Sequence, residues 1–247
     1  MTPIQRVERF ERIDALRGVA IVWMAVFHLC FDLNHFGLLL PKQNFYGDPF
    51  WTQQRTAIVS LFLFTAGLSQ ALALEAGQGW PRFWRRWAQV AACAVLVSAG
   101  SALMFPSSWI SFGILHGIAL MLIGARLLAP LRTGLWPLGL AFILLPQWLQ
   151  HPAFDTRWTN WVGLVTHKPV TEDFAPLLPW LGVVCWGLAA GQGLLAARRG
   201  ILQGALPRAL RPLAWLGCQS LSFYMLHQPV FIGALLAWRW LRALQGG

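Results

Sequence analysis

Acidic side chains are scarce in this sequence, and so are charged side chains of either sign. Asp and Glu together number nine in 247 residues, and charged residues make up 11% of the chain. About a quarter of the residues in an average soluble protein are charged, so this chain has too few charges for a surface that faces water on all sides. Because 57% of its residues are hydrophobic, we interpret it as an integral membrane protein.

The motifs of several soluble enzyme classes are also missing. The sequence contains no P-loop, G-x-G-x-x-G, G-x-S-x-G or H-E-x-x-H pattern, so nucleotide hydrolysis, dinucleotide redox chemistry, serine hydrolysis and zinc proteolysis have no support. Its four cysteines lie inside apolar runs and form no C-x-x-C pattern. We therefore expect neither a disulfide framework nor a bound metal.

Seven apolar runs are long enough to be membrane spans. They predict an all-α fold, a polytopic transmembrane helical bundle of about seven spans, which we treat as a single domain over residues 1–247. The predicted spans are 13–35, 52–74, 83–105, 109–129, 133–150, 174–197 and 213–240.

Positive charge is in excess, with a formal net charge of +10. Because the Arg residues lie at the ends of apolar runs and not on one soluble face, we expect the partner to be the lipid bilayer and not nucleic acid. With a cytoplasmic amino terminus, thirteen of the 19 Lys and Arg residues lie inside, which fits the positive-inside rule for the cytoplasmic (inner) membrane. The thirteen are Arg6, Arg9, Arg12, Arg17, Arg82, Arg85, Arg86, Arg126, Arg132, Arg198, Arg199, Arg208 and Arg211.

The first span carries ionisable residues where lipid would exclude them. On a helix, Arg17 and His28 differ by only about 20° in direction, and Asp14, Asp32 and His35 fall within roughly 40° of His28, so the five form one polar stripe. His28 lies roughly 16 Å beyond Arg17, near the middle of a hydrocarbon core about 30 Å thick. Ionisable residues at this depth usually face a bundle interior or a wet cavity and mark function, although a hydrogen-bonded interhelical histidine is the alternative.

Two further histidines are predicted at a similar depth. From the ends of their runs, His28, His116 and His227 all fall some 8 to 14 Å below the outer face, which favours one shared cavity. In the last run, Ser220, Tyr224 and His227 follow i, i+4, i+7 spacing and predict a second polar stripe, whose alternative role is interhelical hydrogen bonding.

These groups suit proton abstraction from an amine or a hydroxyl. We predict a neutral His28 as the catalytic base and Asp32, one turn away, as the group that orients it or stabilises its charged form. Arg55, near the outer end of the second run, either binds an anionic group or extends outward to the interface.

The Arg17-x10-His28 spacing resembles the first-helix motif of membrane acyltransferases of the acyltransferase-3 type. The ordered set of five blocks is similar to the bacterial branch of the heparan-alpha-glucosaminide N-acetyltransferase catalytic-domain family. These blocks are RIDALRGVAIVWMAVFHLCFDLNHFG, LFLFTAGLS, FGILHGIAL, FAPLLPWLGVVCWGLAAG and LAWLGCQSLSFYMLHQPV.

The resemblance implies an enzyme that takes an acetyl group from cytosolic acetyl-CoA and passes it to a sugar or glycan acceptor on the extracytoplasmic side. It implies that His28 is the base, with His35 as the alternative, and that Asp14 and Arg17 hold the inner end of the first helix or touch CoA phosphates. His116, Tyr224 and His227 would line the acceptor side. Members with more spans leave open that a second subunit, in a homo-oligomer, supplies missing parts of the site.

The residues alone leave two other functions open. A proton-coupled transporter or carrier could use the same His and Asp stripe as a proton relay, although the chain lacks the inverted repeat common in carriers. A non-catalytic membrane scaffold would explain the apolar bulk, but it would not explain three histidines at one depth. For the enzyme, direct transfer and an acetyl-histidine intermediate both fit the sequence.

Overall fold

The computed structural model describes residues 10–245, and all regular secondary structure in that range is helical. The predicted all-α fold is confirmed. Short 3-10 helices occur between some of the α-helices. The α-helices of this range are α1 Glu11–His35, α2 Pro49–Glu75, α3 Trp80–Met104, α4 Ile114–Leu128, α5 Leu135–Trp148, α6 Leu177–Ala197, α7 Arg199–Gln203, α8 Arg211–Cys218 and α9 Ser220–Leu244.

Six stretches in this range are long and apolar enough to cross a membrane. Five are α1, α2, α3, α6 and α9, and the sixth is the 35-residue stretch Ile114–Trp148 that contains both α4 and α5. The chain is therefore a multi-pass membrane protein with a helical bundle. Arg6 and Arg9, which we assigned to the inner side, lie outside the described residues.

The stretch Ile114–Trp148 is not one straight helix. A 3-10 helix, Ala129–Gly134, separates α4 from α5, and Arg132 within it has a φ of 47°. A backbone in the left-handed region breaks the helical ladder and redirects the chain. The break coincides with the gap between the fourth and fifth predicted spans.

α6 runs parallel to α4. Leu181, in the first half of α6, packs against Gly124, and Gln192, farther along α6, donates a hydrogen bond to the carbonyl of Ala129 just after the end of α4. Residues farther along α6 thus contact residues farther along α4, as expected of parallel helices.

α6 runs antiparallel to α5. Gly182 lies against Ile143, near the end of α5, whereas Trp186, one turn farther along α6, donates its indole N–H to the carbonyl of Trp136 at the start of α5. Because α6 is parallel to α4 and antiparallel to α5, α4 and α5 are the two legs of a hairpin. Counted separately, they account for the seven predicted runs.

Two predicted boundaries differ from the structure. The fourth run was predicted from residue 109, but α4 begins at Ile114, whose backbone N–H is capped by Asp173 at 2.7 Å. The last run was predicted to be continuous from 213 to 240, but it divides at Gln219 into α8 and α9. Hydropathy counts apolar residues and does not detect where the helical hydrogen bonding stops.

The chain divides into two compact units, which we describe separately. The first comprises residues 10–13 and Leu63–Ala205, and it contains the α4, α5 and α6 packing described above. The second comprises Asp14–Phe62 and residues 206–245, and it brings together the helices at the two ends of the chain. The assignment of residues 1–247 to a single domain stays a prediction.

Within the second unit, α1 and α8 cross at two glycines. A Cβ on Gly18 would fall within 3.0 Å of the Leu213 carbonyl, and a Cβ on Gly217 would do the same at the Asp14 carbonyl. Only glycine allows the two backbones to approach this closely. The crossing holds the amino-terminal part of α1 against the helix that precedes α9.

Farther along α1 from this crossing, an apolar cluster packs α1, α2, α8 and α9 of the same unit together. Its buried members are Ile21 and Met24 on α1 and Ile58 on α2. Side chains of α8 and α9, including Phe223 and Tyr224, pack against them. The cluster thus joins α1 to α9 just before the histidines of the two helices.

Candidate active site

The two predicted histidines of the second unit, His28 on α1 and His227 on α9, are in direct contact. His28 Nδ1 and His227 Nε2 are 2.7 Å apart, a hydrogen-bond distance. The two rings are stacked, with centroids 5.0 Å apart and planes inclined by 10°. The pair joins residues that are 199 positions apart in the chain.

A backbone carbonyl determines which nitrogens of this pair carry protons. His227 Nδ1 lies 2.7 Å from the carbonyl oxygen of Tyr224, which can only accept, so His227 Nδ1 must donate. In a neutral imidazole the other nitrogen then accepts, so His227 Nε2 takes a hydrogen bond from His28 Nδ1. His28 is thereby held with its proton on Nδ1 and a free lone pair on Nε2.

The Nε2 atom of His28 is the nitrogen of the pair whose lone pair is not used by the other imidazole. It has no hydrogen-bond partner within residues 10–245, and the His28 side chain is half-buried. A positioned imidazole with an unprotonated nitrogen can remove a proton from a nearby amine or hydroxyl. His227, with both nitrogens engaged, serves to orient His28 and not to donate elsewhere.

Aromatic rings hold the histidine pair in place. Phe27 packs edge-on against His28, with ring centroids 5.9 Å apart. The Phe223 ring lies parallel to His227 at 6.1 Å, and Phe231 meets the same imidazole edge-on at 6.0 Å. Such packing restricts rotation of both imidazoles, so the hydrogen bond between them is preorganised.

Asp32, the predicted partner of His28, is engaged by a different residue. Its Oδ1 accepts a hydrogen bond from Gln228 Nε2 at 3.4 Å, and the side chain is only 4% exposed. Its Oδ2 and the Oε1 of Gln228 are both buried and have no hydrogen-bond partner within the described range. Asp32 lies one helical turn beyond His28, and Gln228 directly follows His227, so the two oxygens offer acceptors for the donor groups of a polar ligand.

Asp14 and Arg17 form a separate polar group in the amino-terminal part of α1. The Nη1 atom of Arg17 lies 3.2 Å from Asp14 Oδ1 and 3.3 Å from the carbonyl oxygen of Gly217. Both side chains are largely buried. Their contacts tie α1 to α8 at the glycine crossing, about 16 Å along α1 from His28.

The remaining candidates of the second unit lie away from this pairing. His35 is the last residue of α1, and its exposed ring packs against Phe36. Arg55 is half-buried on α2 and makes no ion pair or hydrogen bond within residues 10–245. It therefore keeps all five donors for an anionic group.

His116 belongs to the first unit, where it caps α4. Its Nδ1 accepts from the backbone N–H of Gly113 at 3.3 Å, and its Nε2 lies 3.1 Å from Ser98 Oγ. The Ser98 hydroxyl donates a hydrogen bond to the Ile110 carbonyl at 2.6 Å. Both nitrogens of His116 are thus used to hold the start of a helix.

A polar loop of the first unit, residues 151–173, also carries a charged anchor. Thr166 donates to both oxygens of Asp155, from its backbone N–H at 2.8 Å and from its hydroxyl at 2.6 Å. These hydrogen bonds lower the pKa of the Asp155 carboxyl below its ordinary value because they stabilise the charged form. The Asp155 carboxylate thus holds the part of the loop around residue 155 against the part around residue 166.

Gln228 is the site residue whose role the sequence did not reveal. Its position beside His227 was visible in the sequence, but nothing there indicated that its amide reaches Asp32. A polar residue within the apolar last run was the available signal. Within the described range, no group of three or more His, Cys, Asp and Glu side chains is placed to hold a metal ion.

Comparison with known protein families gives one match that covers most of the chain. The sequence model of the family described as "Heparan-alpha-glucosaminide N-acetyltransferase, catalytic" matches residues 9–229. The matched region includes both histidines, Asp32 and Gln228. No curated protein and no solved structure matches the chain.

Proposed function

This chain belongs to the heparan-alpha-glucosaminide N-acetyltransferase catalytic-domain family, and from that membership we propose that it is a membrane-embedded acetyltransferase. Its co-substrate is acetyl-CoA, which enters from the cytosol. The acceptor is a sugar amine or hydroxyl on the extracytoplasmic side of the inner membrane. The observation that carries the proposal is the His28–His227 pair, which leaves one imidazole nitrogen free for proton abstraction.

In the proposed reaction, His28 Nε2 is the general base. The acceptor nitrogen or oxygen forms a bond to the acetyl carbonyl carbon, and its proton passes to His28 Nε2. The carbon–sulfur bond then breaks, and the CoA thiolate takes the proton from the imidazolium. Atoms and charge balance, with the acetylated acceptor and free CoA as products. Holding both reactants beside His28 supplies much of the rate enhancement through proximity.

The neighbouring residues have supporting roles. His227 Nε2 accepts a hydrogen bond from His28 Nδ1 throughout, which stabilises the imidazolium, as an orienting group does for a catalytic histidine. The unpartnered oxygens of Asp32 and Gln228 receive donor groups of the acceptor. We assign substrate contacts to six further residues. Asp14 and Arg17 make theirs on the inner side, and the remaining four are His35, Arg55, His116 and Tyr224.

Acetyl-CoA is expected to stabilise the purified chain and to release CoA when an amino sugar is added. At about 100 times its Kd, a ligand that binds only the folded state adds about 2.7 kcal/mol to the unfolding free energy. Thermal unfolding with acetyl-CoA, and a thiol assay with glucosamine as the acceptor, measure the two effects.

The same preparation separates the enzyme from a carrier. A carrier in proteoliposomes would take up the sugar without acetyl-CoA and would release no thiol. An enzyme would release thiol only when both substrates are present. If acetyl-CoA at millimolar concentration neither shifts the unfolding temperature nor releases CoA, the acetyltransferase proposal is wrong.

Replacing His227 with Phe is expected to lower kcat by about tenfold or more while the KM for acetyl-CoA stays nearly unchanged. Phe fills the space but cannot accept the Nδ1 proton of His28, so the imidazole loses its fixed tautomer. His227→Gln offers an amide oxygen in place of Nε2 and should recover part of the loss. Equal loss in both variants, or a changed KM alone, would rule out the orienting role.

A further inference from the structure

Arg126, on α4 in the first unit, is a buried cation that the proposed reaction does not use. Its side chain is 9% exposed, and its Nη2 donates a hydrogen bond to the Gln78 carbonyl. The guanidinium carbon lies 4.7 Å from the centre of the Trp80 ring and 5.0 Å from that of Phe83. Two aromatic faces and one carbonyl are its surroundings.

One side of this guanidinium is unsatisfied. Its Nη1 is buried and has no hydrogen-bond partner among residues 10–245. Arginine keeps its charge in proteins, so this group cannot escape the cost of burial by losing a proton. A buried charge normally has a counter-charge and a full set of hydrogen bonds.

The chain has little acidic charge with which to meet this need. No Asp or Glu occurs between Glu75 and Asp155 or after Asp173, so α3, α4, α5 and α6 carry none. Glu75, the closest acidic residue in sequence to Gln78, is 3.3 Å from Arg199 and forms an ion pair with it. Arg126 forms no ion pair within the described range, which leaves room for a counter-charge supplied by another molecule.

The start of α3 provides the surroundings that an amphiphilic anion needs. Trp80, Phe83, Trp84 and Trp87 follow i, i+3, i+4, i+7 spacing and share one face of the helix. Trp80 and Trp84 stack on each other, and each is 43% exposed. Tryptophans of this kind lie at the membrane–water interface.

Exposed cations stand on the neighbouring face of the same two turns. Arg82 and Arg85 are both exposed and make no ion pair or hydrogen bond within the described range. The first two turns of α3 thus combine indole rings suited to the acyl–headgroup boundary with guanidinium groups suited to phosphate. Basic pockets beside interfacial aromatics are typical sites of anionic lipid headgroups.

We infer that Arg126, framed by Trp80 and Phe83, is the binding site for the phosphate of an anionic phospholipid headgroup. Nη1 donates to a phosphate oxygen, and Arg82 and Arg85 add long-range attraction. This site goes beyond the proposed acetyl transfer and uses different residues, so failure of one proposal leaves the other standing.

The test is thermal unfolding of the delipidated full chain in a neutral maltoside detergent. Dioctanoyl phosphatidylglycerol should raise the unfolding temperature of the wild type by about 5 °C at saturation, while dioctanoyl phosphatidylcholine should leave it nearly unchanged. Arg126→Gln should lose the phosphatidylglycerol effect. Arg132→Gln, which removes the same charge from an exposed position, should keep it.

A second variant keeps the test decisive if Arg126→Gln does not fold. Trp80→Leu removes one aromatic face at a partly exposed position and should weaken phosphatidylglycerol binding about fivefold. Equal effects of the two lipids, or an undiminished effect in both variants, would overturn the site.

Two further arms identify the source of the phosphate. Inorganic phosphate at 10 mM, about ten times a millimolar Kd, should not reproduce the lipid effect, and the effect of acetyl-CoA should survive in Arg126→Gln. If inorganic phosphate matches the lipid, the site binds free phosphate. If only the acetyl-CoA effect is lost, the site belongs to the co-substrate, and in either case the lipid proposal is wrong.

Discussion

Replacing His28 with Ala is expected to lower the kcat of acetyl transfer by about 10²–10⁴-fold, the usual contribution of a general base. The substitution removes the only atom of the histidine pair that has a free lone pair. The fold should persist because the side chain is only half-buried and the Ile21, Met24 and Ile58 cluster is untouched. Single-turnover release of CoA, with thermal unfolding as the fold check, measures the effect.

Two comparisons make this prediction specific. His167→Ala removes an exposed imidazole from the 151–173 loop and should leave the rate unchanged. His35→Ala tests the alternative base at the end of α1. If His35→Ala loses the activity and His28→Ala keeps it, the base is His35, and the pairing of His28 with His227 is then a structural contact between helices.

Replacing Gly217 with Ala is expected to lower the unfolding temperature by about 10 °C, which corresponds to roughly 3 kcal/mol for a chain of this size. The added Cβ would overlap the backbone carbonyl of Asp14, so α8 would have to move away from α1. The Gly217 carbonyl also accepts from Arg17, and displacement would break that contact too. Thermal unfolding in detergent measures the loss.

Gly233→Ala is the matched control for this substitution. Gly233 lies in α9 of the same unit, and a Cβ there would meet nothing within 4 Å. Alanine is a better helix former than glycine by up to about 1 kcal/mol, so this variant should be slightly more stable. A decrease of similar size in both variants would mean that α9 and α8 respond to loss of glycine flexibility and not to a close crossing.

Helix content and the number of apolar runs could be predicted from the sequence because a bilayer imposes a length and a composition on each span. The end of α8 could not be predicted from the sequence. Cys218 continues the apolar pattern and Gln219 lies inside the predicted run 213–240, yet the helical geometry ends at Gln219, whose ψ is 15°. The turn between α8 and α9 lies next to the Gly217 crossing with α1, and such a tertiary contact has no hydropathy signal.

The sequence predicted that the two histidines lie at a similar depth, but it did not predict which side chains of α1 and α9 pair with each other. Counting residues from the span ends brought His28 and His227 to one level of the membrane, and their contact agrees with that estimate. The helical wheel placed Asp32 on the same side as His28, and both side chains do meet α9, His28 at His227 and Asp32 at Gln228. A wheel gives the direction of a side chain around its own helix, but it does not show which side chain of the facing helix lies opposite.

The hydrogen bond between the helices at the two ends of the chain has a consequence for biosynthesis. Until α9 is inserted, a nascent chain carries His28 without the acceptor that fixes its proton. A chain that ends before α9 would thus have an unoriented His28 imidazole in the bilayer. Adding α9 as a separate peptide should restore the orientation of His28, and with it acetyl transfer, to such a truncated chain.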